Sequence, residues 1–304
     1  MNPYRPWHLA AVVLIALITY ANSISGQLVW DDETQIGKNP VIRDLANVPS
    51  AFGQPFWSFV DPDTPNRSNF YRPLQTVWYT VGYALGGIRP EPYHAISITI
   101  HGLASAAVYL VIAELGFGPA LALLGAALFA THPIHTEAVS WIAALPDVAC
   151  GFFYFTSLWM FLKSDYGRRR GWWIASALAL LPALLSKEMA VTLPAILLLL
   201  SFRSSASGLR TRDRVQMLVP YGAAVAVYLA MRIHALGFVA TNQTPANASP
   251  LDWITMGFRA WGEYLWLSFV PYPLIAFRMV PLHLADRAGA TLLGTALVVG
   301  LGWW

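Results

Sequence analysis

Long apolar segments, separated by short polar ones, follow one another along most of the chain. A transmembrane helix needs about 20 mainly apolar residues, and several of these segments approach or reach that length. The segments cover residues 7–25, 93–112, 119–130, 138–162, 172–185, 189–202, 215–233, 254–269 and 290–304. The pattern predicts an all-α, polytopic membrane protein with about nine transmembrane helices. For the first segment, a cleaved signal peptide is the alternative, because its apolar centre is short.

The composition supports a membrane protein. The 304 residues are 56% hydrophobic and 12% charged, whereas an average soluble domain has about 25% charged residues. The chain also has 13 Trp and 13 Tyr, residue types that collect at membrane interfaces. Its net charge of +3 forms no long basic run, so nucleic acid is not an expected partner. The single cysteine, Cys150, excludes an internal disulfide and a multi-cysteine metal site.

Basic residues in two short loops set the predicted orientation, because such loops stay in the cytoplasm. The loops contain Lys163, Arg168, Arg169 and Arg170, and then Arg203, Arg210, Arg212 and Arg214. Alternation of the spans places residues 26–92, 131–137, 186–188 and 234–253 on the opposite, outer face. Residues 26–92, the first outer loop, are rich in aromatic side chains, which favours an ordered loop. Within this loop, residues 71–85 have the spacing of an amphipathic helix at the membrane interface.

Three consecutive acids, Asp31, Asp32 and Glu33, follow the first span on the predicted outer face. A carboxylate whose pKa is set by its neighbours can act as a general base towards a hydroxyl group. Adjacent carboxylates can also hold a divalent cation, and acids at a membrane surface are commonly just solvated. The residues alone leave these three roles open.

Other polar residues lie at helix starts or inside spans. Arg72 precedes Pro73 at a predicted helix start, where its guanidinium can bind a phosphate group or lipid headgroups. His94 and His101 lie two helical turns apart in the second span, where histidines need a polar partner or have a function.

A second polar cluster contains His132, His135 and Glu137. Its spacing differs from that of the zinc-protease helix, so it favours a hydrogen-bonding cap or a headgroup site over a metal site. The sequence also has no Walker loop, no nucleophile elbow and no dinucleotide-binding glycine motif, which argues against those enzyme classes.

Charged residues interrupt the apolar segments at Asp147 and at the adjacent Lys187 and Glu188. Intramembrane charges usually face a polar cavity or pair with one another. An ion pair of Lys187 with Glu188 or with Asp147 is the structural alternative to a functional role.

Several short motifs, taken in order, resemble one known family. They are VWDDETQIGKNPVIR after the first span, FYRPLQTVWY, PYHAISITIH, HPIHTEAV, Asp147 and LSKEMAVTLP. These motifs fall between residues 10 and 200. Their order resembles that of the transmembrane and tetratricopeptide-repeat O-mannosyltransferases and their bacterial relatives, which belong to the GT-C class of membrane glycosyltransferases.

The resemblance implies a GT-C membrane domain over residues 1–304. It implies transfer of a sugar, mannose in that family, from a polyprenyl- or dolichyl-phosphate donor to a hydroxyl of a protein or glycan acceptor on the non-cytoplasmic face. The acidic pair of the first outer loop matches the family's base, and we favour Asp32 over Asp31 and Glu33. A single carboxylate without a second acid at the leaving oxygen favours inversion, because phosphate leaves without being protonated.

The resemblance also implies a donor site. Its matched positions are Arg72, Lys187, His132 and His135, with His94, Glu137, Asp147 and Glu188 in support. From their charge, Arg72 and Lys187 are expected to bind phosphate, and the histidines to orient the donor. No cofactor is implied with certainty, and a divalent cation is left open. The expected location is a bacterial inner membrane, with the site on its periplasmic face.

The sequence departs from the family at two points. The family's Gly-Arg-Ala-Asp is replaced by residues 144–147, Ala-Leu-Pro-Asp, which removes an arginine beside the acid. Tetratricopeptide repeats are absent from these 304 residues, and the chain ends inside an apolar run, which leaves room for a longer natural protein. The main rival interpretation is a polytopic transporter or lipid flippase, which also holds charges within its helices. A membrane anchor for a domain beyond Trp304 is a third interpretation.

Overall fold

The computed structural model describes residues 4–60, 69–202, 208–239 and 250–275. The chain divides into two compact units, Met1–Ala240 and Thr241–Trp304. The residues that the structure describes form helices and connecting segments, with no strand among them. The protein is an all-α integral membrane protein, as the apolar pattern predicts.

Among the residues that the structure describes, nine α-helices belong to the first unit, and α10 (Pro250–Phe269) belongs to the second. The nine are α1 (Pro6–Tyr20), α2 (Pro73–Gly86), α3 (Glu91–Glu114), α4 (Pro119–Thr131), α5 (Thr136–Ser140), α6 (Leu145–Lys163), α7 (Arg170–Ser186), α8 (Leu193–Leu200) and α9 (Thr211–Leu236). Four helical segments of the described chain are long and apolar enough to cross a membrane: Pro6–Ser25, Glu91–Glu114, Ile142–Lys163 and Thr211–Leu236. Three shorter apolar helices are Pro119–Thr131, Arg170–Ser186 and Glu188–Leu200.

Most predicted apolar segments coincide with one helix or helical run, and the predicted interfacial helix over residues 71–85 forms α2. The segment 138–162 is different, because its helix is interrupted. α5 ends at Ser140, Trp141 is extended with φ −94° and ψ 121°, and α6 begins at Leu145. Pro146 suits the first turn of α6, where a backbone N–H is not needed. The predicted segment 290–304 lies outside the described residues.

The two ends of the helices in the first unit carry different groups of contacts. At one end, the Tyr4 hydroxyl donates to Glu114 at the end of α3, and the Lys163 ammonium at the end of α6 lies 4.6 Å from the Tyr4 ring. At the other end, the Tyr20 hydroxyl donates to the His132 carbonyl at 3.3 Å. Lys163, beside the first basic loop, therefore lies at the end of these helices opposite to His132. The side of the membrane that each end faces stays a prediction.

The described part of the first outer loop packs into the core of the first unit. Phe56 of this loop and Tyr79 of α2 share one buried cluster with Val139 and Ile142. The ordered loop expected from its aromatic composition is therefore confirmed for these residues. Its packing places the acids that follow α1 against the interruption between α5 and α6.

Candidate functional site

Asp31 and Asp32 lie next to each other in opposite environments. Asp31 is exposed, whereas the Asp32 side chain is fully buried. The Ala143 N–H donates to Oδ1 of Asp32 at 2.8 Å, and the Val29 N–H donates to Oδ2 at 3.1 Å. Burial raises the pKa of Asp32 to about 6, although these backbone hydrogen bonds oppose the rise. Asp32 thus holds the acidic segment against residues 142–144.

The backbone on both sides of the acidic pair is unusual. Trp30 has a φ of 51°, in the left-handed region that bulky side chains rarely adopt. Its ring is 67% exposed and meets the Trp141 ring edge to face at 5.8 Å. On the other side, Glu33–Gly37 forms a π-helical turn, a feature that is frequent at functional sites. Together these features turn Asp31 and Glu33 outward while Asp32 points inward.

A buried polar network joins the acidic segment to α2. The Tyr79 hydroxyl donates to Oε1 of Gln35 at 2.8 Å and lies 3.2 Å from the Ile142 carbonyl. The Gln75 amide donates to the same Gln35 oxygen at 2.9 Å. The Tyr79 side chain has no exposed surface. This network fixes the segment after Asp32 relative to α2 and to the 142–144 turn.

Arg72 connects this network to the Lys187-Glu188 junction. Nη2 of Arg72 lies 3.2 Å from Oε1 of Glu188, and the Arg72 side chain is 16% exposed. Arg72 directly precedes α2, the helix that carries Gln75 and Tyr79. The fold therefore links the acidic segment to a guanidinium through α2, although the two are far apart in the sequence.

Lys187 pairs with Asp147 rather than with its neighbour Glu188. The Lys187 ammonium lies 2.5 Å from Oδ1 of Asp147, and the two side chains are 21% and 37% exposed. Of the two ion pairs that the sequence leaves open for Lys187, the structure forms the one with Asp147. Glu137 is a third member of this group: burial raises its pKa, and the charge of Asp147 adds to the rise.

His132 and His135 lie in a separate aromatic cluster near the outer end of α4. The His135 ring lies 4.4 Å from the Phe129 ring and 5.3 Å from the His101 ring, measured between centroids. Burial lowers the pKa of His135 to about 4, so its ring is neutral at pH 7. His132 caps the following turn, since its Nδ1 accepts from the Ile134 N–H at 3.2 Å. Both histidines can position a ligand, but neutral His135 supplies no charge to a phosphate.

The two histidines of α3 are buried, as expected for one face of a packed helix. Nε2 of His101 lies 3.1 Å from the Ala130 carbonyl, which joins α3 to α4. His94 packs against Gly26, where an added Cβ would stand 2.8 Å from its Nε2. Both side chains are 2% exposed. His101 thus has a polar partner, whereas the ring nitrogens of His94 bond no residue that the structure describes.

Sequence reasoning missed several residues that build the site. In the sequence, Gln35 has the features of an ordinary loop residue, and Gln75 and Tyr79 have those of an ordinary amphipathic helix. Arg232, near the end of α9, is buried and donates to the Asn69 carbonyl of the first outer loop at 2.8 Å. The sequence contains one signal for Arg232, because a charged residue within a predicted span indicates a functional role or a polar partner.

Across the residues that the structure describes, no group of three or more His, Cys, Asp or Glu side chains is arranged to hold a metal ion. In the acidic segment, each carboxylate oxygen of Asp32 already accepts a hydrogen bond from a backbone N–H group.

The chain is similar in sequence to proteins named protein O-mannosyl-transferase. It is 29% identical over 188 residues to Protein O-mannosyl-transferase TMTC2 of Homo sapiens, covering 60% of this chain and 22% of that protein. It is 30% identical over 184 residues to Tmtc1 of Drosophila melanogaster, covering 60% of this chain and 21% of that protein. With TMTC4 of Mus musculus the identity is 28% over 209 residues, covering 61% of this chain and 28% of that protein.

The chain thus spans about a quarter of the length of these relatives or less. No family model matches the chain, and no solved structure matches it either. The resemblance seen in the ordered motifs is confirmed by the relatives: over about 60% of its length, this chain is similar to proteins named as protein O-mannosyl-transferases.

Proposed function

We propose that this protein is a membrane glycosyltransferase that moves a sugar, mannose by analogy with its relatives, from a lipid-linked phosphate donor to a hydroxyl group. The observation that carries the proposal is the link that α2 makes between the acidic pair and Arg72. Asp32 accepts the Ala143 N–H, and Tyr79 of α2 contacts the neighbouring Ile142 carbonyl. Arg72 directly precedes α2. Arg72 in turn contacts Glu188, whose neighbour Lys187 pairs with Asp147. These contacts link a candidate base to two candidate phosphate-binding cations, and transfer from a sugar phosphate requires both kinds of group.

The proposed reaction is an inverting displacement. The acceptor hydroxyl attacks the anomeric carbon while a carboxylate takes the hydroxyl proton. The bond between the anomeric carbon and the phosphate oxygen breaks, and the lipid phosphate leaves as an anion. Arg72 and Lys187 stabilise the charge that develops on this phosphate, because guanidinium and ammonium groups bind phosphate oxygens strongly. His132 and His135 orient the donor, and His135, which is neutral at pH 7, adds no charge.

We assign the base to the acidic pair, and its geometry separates the two acids. Family resemblance favours Asp32, and a pKa near 6 suits a base at neutral pH. However, Asp32 has no exposed surface, and both of its oxygens accept backbone hydrogen bonds. Asp31 is exposed, so it can meet an acceptor without rearrangement of the segment. We therefore propose Asp31 as the proton acceptor and Asp32 as the residue that positions it.

The wider setting of the proposal is a GT-C fold with about nine transmembrane helices. Its site lies on the non-cytoplasmic face, which for a bacterial protein is the periplasmic side of the inner membrane. The donor is a polyprenyl- or dolichyl-phosphate sugar, and the acceptor is a protein or glycan.

The test is transfer of radiolabelled mannose from polyprenyl-phosphate mannose to serine- and threonine-containing peptides by the purified protein. Asp31→Asn should lower the transfer rate by about 10²–10⁴-fold, the usual contribution of a general base, with unchanged donor binding. Asp32→Asn should lower the rate less and also lower the unfolding temperature. Asp44→Asn is the matched control, because Asp44 is another acid of the loop that accepts a backbone N–H, at 2.9 Å.

Three outcomes contradict parts of the proposal. Full activity of Asp31→Asn with complete loss in Asp32→Asn would make Asp32 the base. A product that keeps the donor's anomeric configuration would exclude inversion. Failure of the unmodified chain to transfer sugar from any lipid-phosphate donor, combined with donor movement across vesicle membranes, would favour a flippase.

A further inference from the structure

Arg232 is a buried cation in the outer part of α9. Its side chain is 7% exposed, although it lies in a helix that is long and apolar enough to cross a membrane. Placing a guanidinium in such a helix is costly, and arginines found there usually face a polar cavity or a functional site. Arg232 therefore needs an explanation beyond helix packing.

Three hydrogen bonds hold the Arg232 guanidinium, and all of their acceptors are neutral. Nε donates to the Val239 carbonyl at 2.9 Å, Nη2 to the Asn69 carbonyl at 2.8 Å, and Nη1 to the Tyr228 hydroxyl at 3.4 Å. A guanidinium has five N–H donors, and two of them bond no residue that the structure describes, which leaves them for another ligand. Neutral acceptors also leave the positive charge available to an anion.

Arg232 faces the same group of charges as Arg72. Its charge acts on Glu188, as does that of Arg72, which is paired with this carboxylate at 3.2 Å. Tyr228, one turn before Arg232, is influenced by all three of these charged residues. The Tyr228 ring also lies 6.1 Å from the ring of Tyr71, the residue before Arg72. The hydrogen bond from Arg232 to Asn69 and the contact of the Tyr228 and Tyr71 rings therefore bring Arg232 to the part of the first outer loop that contains Arg72.

We propose that Arg232 is a second guanidinium of the donor-phosphate site and binds the phosphodiester of the lipid-linked sugar together with Arg72. The inference rests on the proposed function, since that function supplies the phosphate. Arg72, Arg232 and Glu188 together carry a single positive charge, which matches the single negative charge of a phosphodiester. The planar fork of arginine suits two oxygens of one phosphate. Before the donor binds, Glu188 holds Arg72, and the Asn69 carbonyl holds Arg232.

Binding of a polyprenyl phosphate without a sugar tests the inference apart from catalysis. The full-length protein in nanodiscs is titrated with polyprenyl phosphate and, separately, with the uncharged polyprenol of equal length. R232Q should lose about tenfold or more in affinity for the phosphate, the size expected for one charge-assisted hydrogen bond, and bind polyprenol as before. R232K keeps the positive charge but loses the planar fork of the guanidinium. Its affinity for polyprenyl phosphate should lie between that of R232Q and that of the unmodified protein.

The matched control is R214Q. Arg214 lies on the same helix at its other end and also donates to a backbone carbonyl, that of Ser201, at 3.3 Å. Its removal should leave the affinity for polyprenyl phosphate unchanged, and thermal unfolding of each variant reports whether it is folded.

Two results would overturn the inference. If R232Q or R232K lost phosphate and polyprenol binding equally, Arg232 would only hold α9 to the first outer loop. If both variants bound polyprenyl phosphate as the unmodified protein does, Arg232 would not contact the phosphate. Failure of the unmodified protein to prefer the phosphate over polyprenol is a different result, because it would remove the proposed donor itself.

Discussion

Asp31 and Asp32 are neighbours in the sequence, but their carboxylates lie in different environments and so differ in chemistry. The left-handed φ of Trp30 precedes them and a π-helical turn follows. Between these two features, Asp32 turns inward onto the Ala143 and Val29 N–H groups while Asp31 stays in solvent. The difference in exposure, rather than any difference in side chain, assigns them separate roles.

The raised pKa of Asp32 predicts a pH dependence of stability. Folding raises this pKa from 3.8 to about 6, so the folded protein binds more protons than the unfolded chain between these pH values. Its contribution to the free energy of unfolding is therefore fully present below pH 3.8 and is lost as the pH rises through about 6. The loss is on the order of 3 kcal/mol. Asp32→Asn should flatten this slope, as measured by thermal unfolding from about pH 4 to pH 8.

Glu33→Gln is the control for this prediction, because Glu33 is an exposed acid in the next position. It should leave the slope of stability against pH unchanged. Equal slopes in Asp32→Asn and the unmodified protein would show that Asp32 is not the group that titrates. The absolute stability of Asp32→Asn is not the readout, since an amide also disturbs the two backbone hydrogen bonds.

The sequence indicates which residue types belong to the candidate site. It does not indicate how each of their side chains is placed. Charged residues in apolar surroundings, such as Arg72, Asp147 and Lys187, stand out because burial of charge is costly. Burial of Asp32 could not be predicted, because it depends on an N–H group of Ala143, 111 residues further along the chain. Long-range contacts of this kind leave no local pattern.

At the element scale, α2 acts as the support of the acidic segment. Tyr79→Phe removes the hydroxyl that bonds Gln35 and lies near the Ile142 carbonyl. We expect a loss of about 1–3 kcal/mol in stability, because buried acceptors lose a donor. We also expect slower sugar transfer, since the segment that carries Asp31 is held by this network. Thermal unfolding and the transfer assay measure the two effects.

Tyr83→Phe is the matched control, one turn further along α2. Tyr83 is partly buried, and its hydroxyl forms no hydrogen bond to a residue that the structure describes. Its replacement should change neither stability nor transfer by a measurable amount. Equal effects of the two substitutions would mean that α2 tolerates loss of the Tyr79 hydroxyl, and that the network does not position the acids.

Element type and order could be predicted from apolar spacing, but the interruption of the segment 138–162 could not. Apolar residues continue from Ala138 through Trp141 to Leu145, so periodicity indicates one helix. The extended conformation of Trp141 frees the Ala143 N–H for Asp32, and Ile142 and Ala143 carbonyls face the Tyr79–Gln75 pair. Tertiary hydrogen bonds therefore override the local preference for a continuous helix.

At the scale of the whole molecule, the proposed function requires the acidic segment and the basic loop after α6 to lie on opposite sides of a membrane. Each position can be tested with a cysteine introduced into a variant that lacks Cys150, the single natural cysteine. The two labelling sites are Lys38 and Arg168. Lys38 lies in the first outer loop and is exposed. Arg168 lies between α6 and α7, and its side chain is 54% exposed. A membrane-impermeant maleimide should label Lys38→Cys in intact spheroplasts and Arg168→Cys only after lysis.

The reason for this expectation is the combination of two independent features. Arginines in the short loop after α6 favour the cytoplasm, and Lys163, at the end of α6, packs with Tyr4 at the end opposite to the contact between Tyr20 and His132. Natural Cys150 is 7% exposed and should remain unlabelled in the folded parent protein. Labelling of Arg168→Cys in intact spheroplasts, with protection of Lys38→Cys, would place Asp31 and Arg72 in the cytoplasm. A donor presented on the outer face could not then reach them, and the proposed transfer would need a different sugar donor.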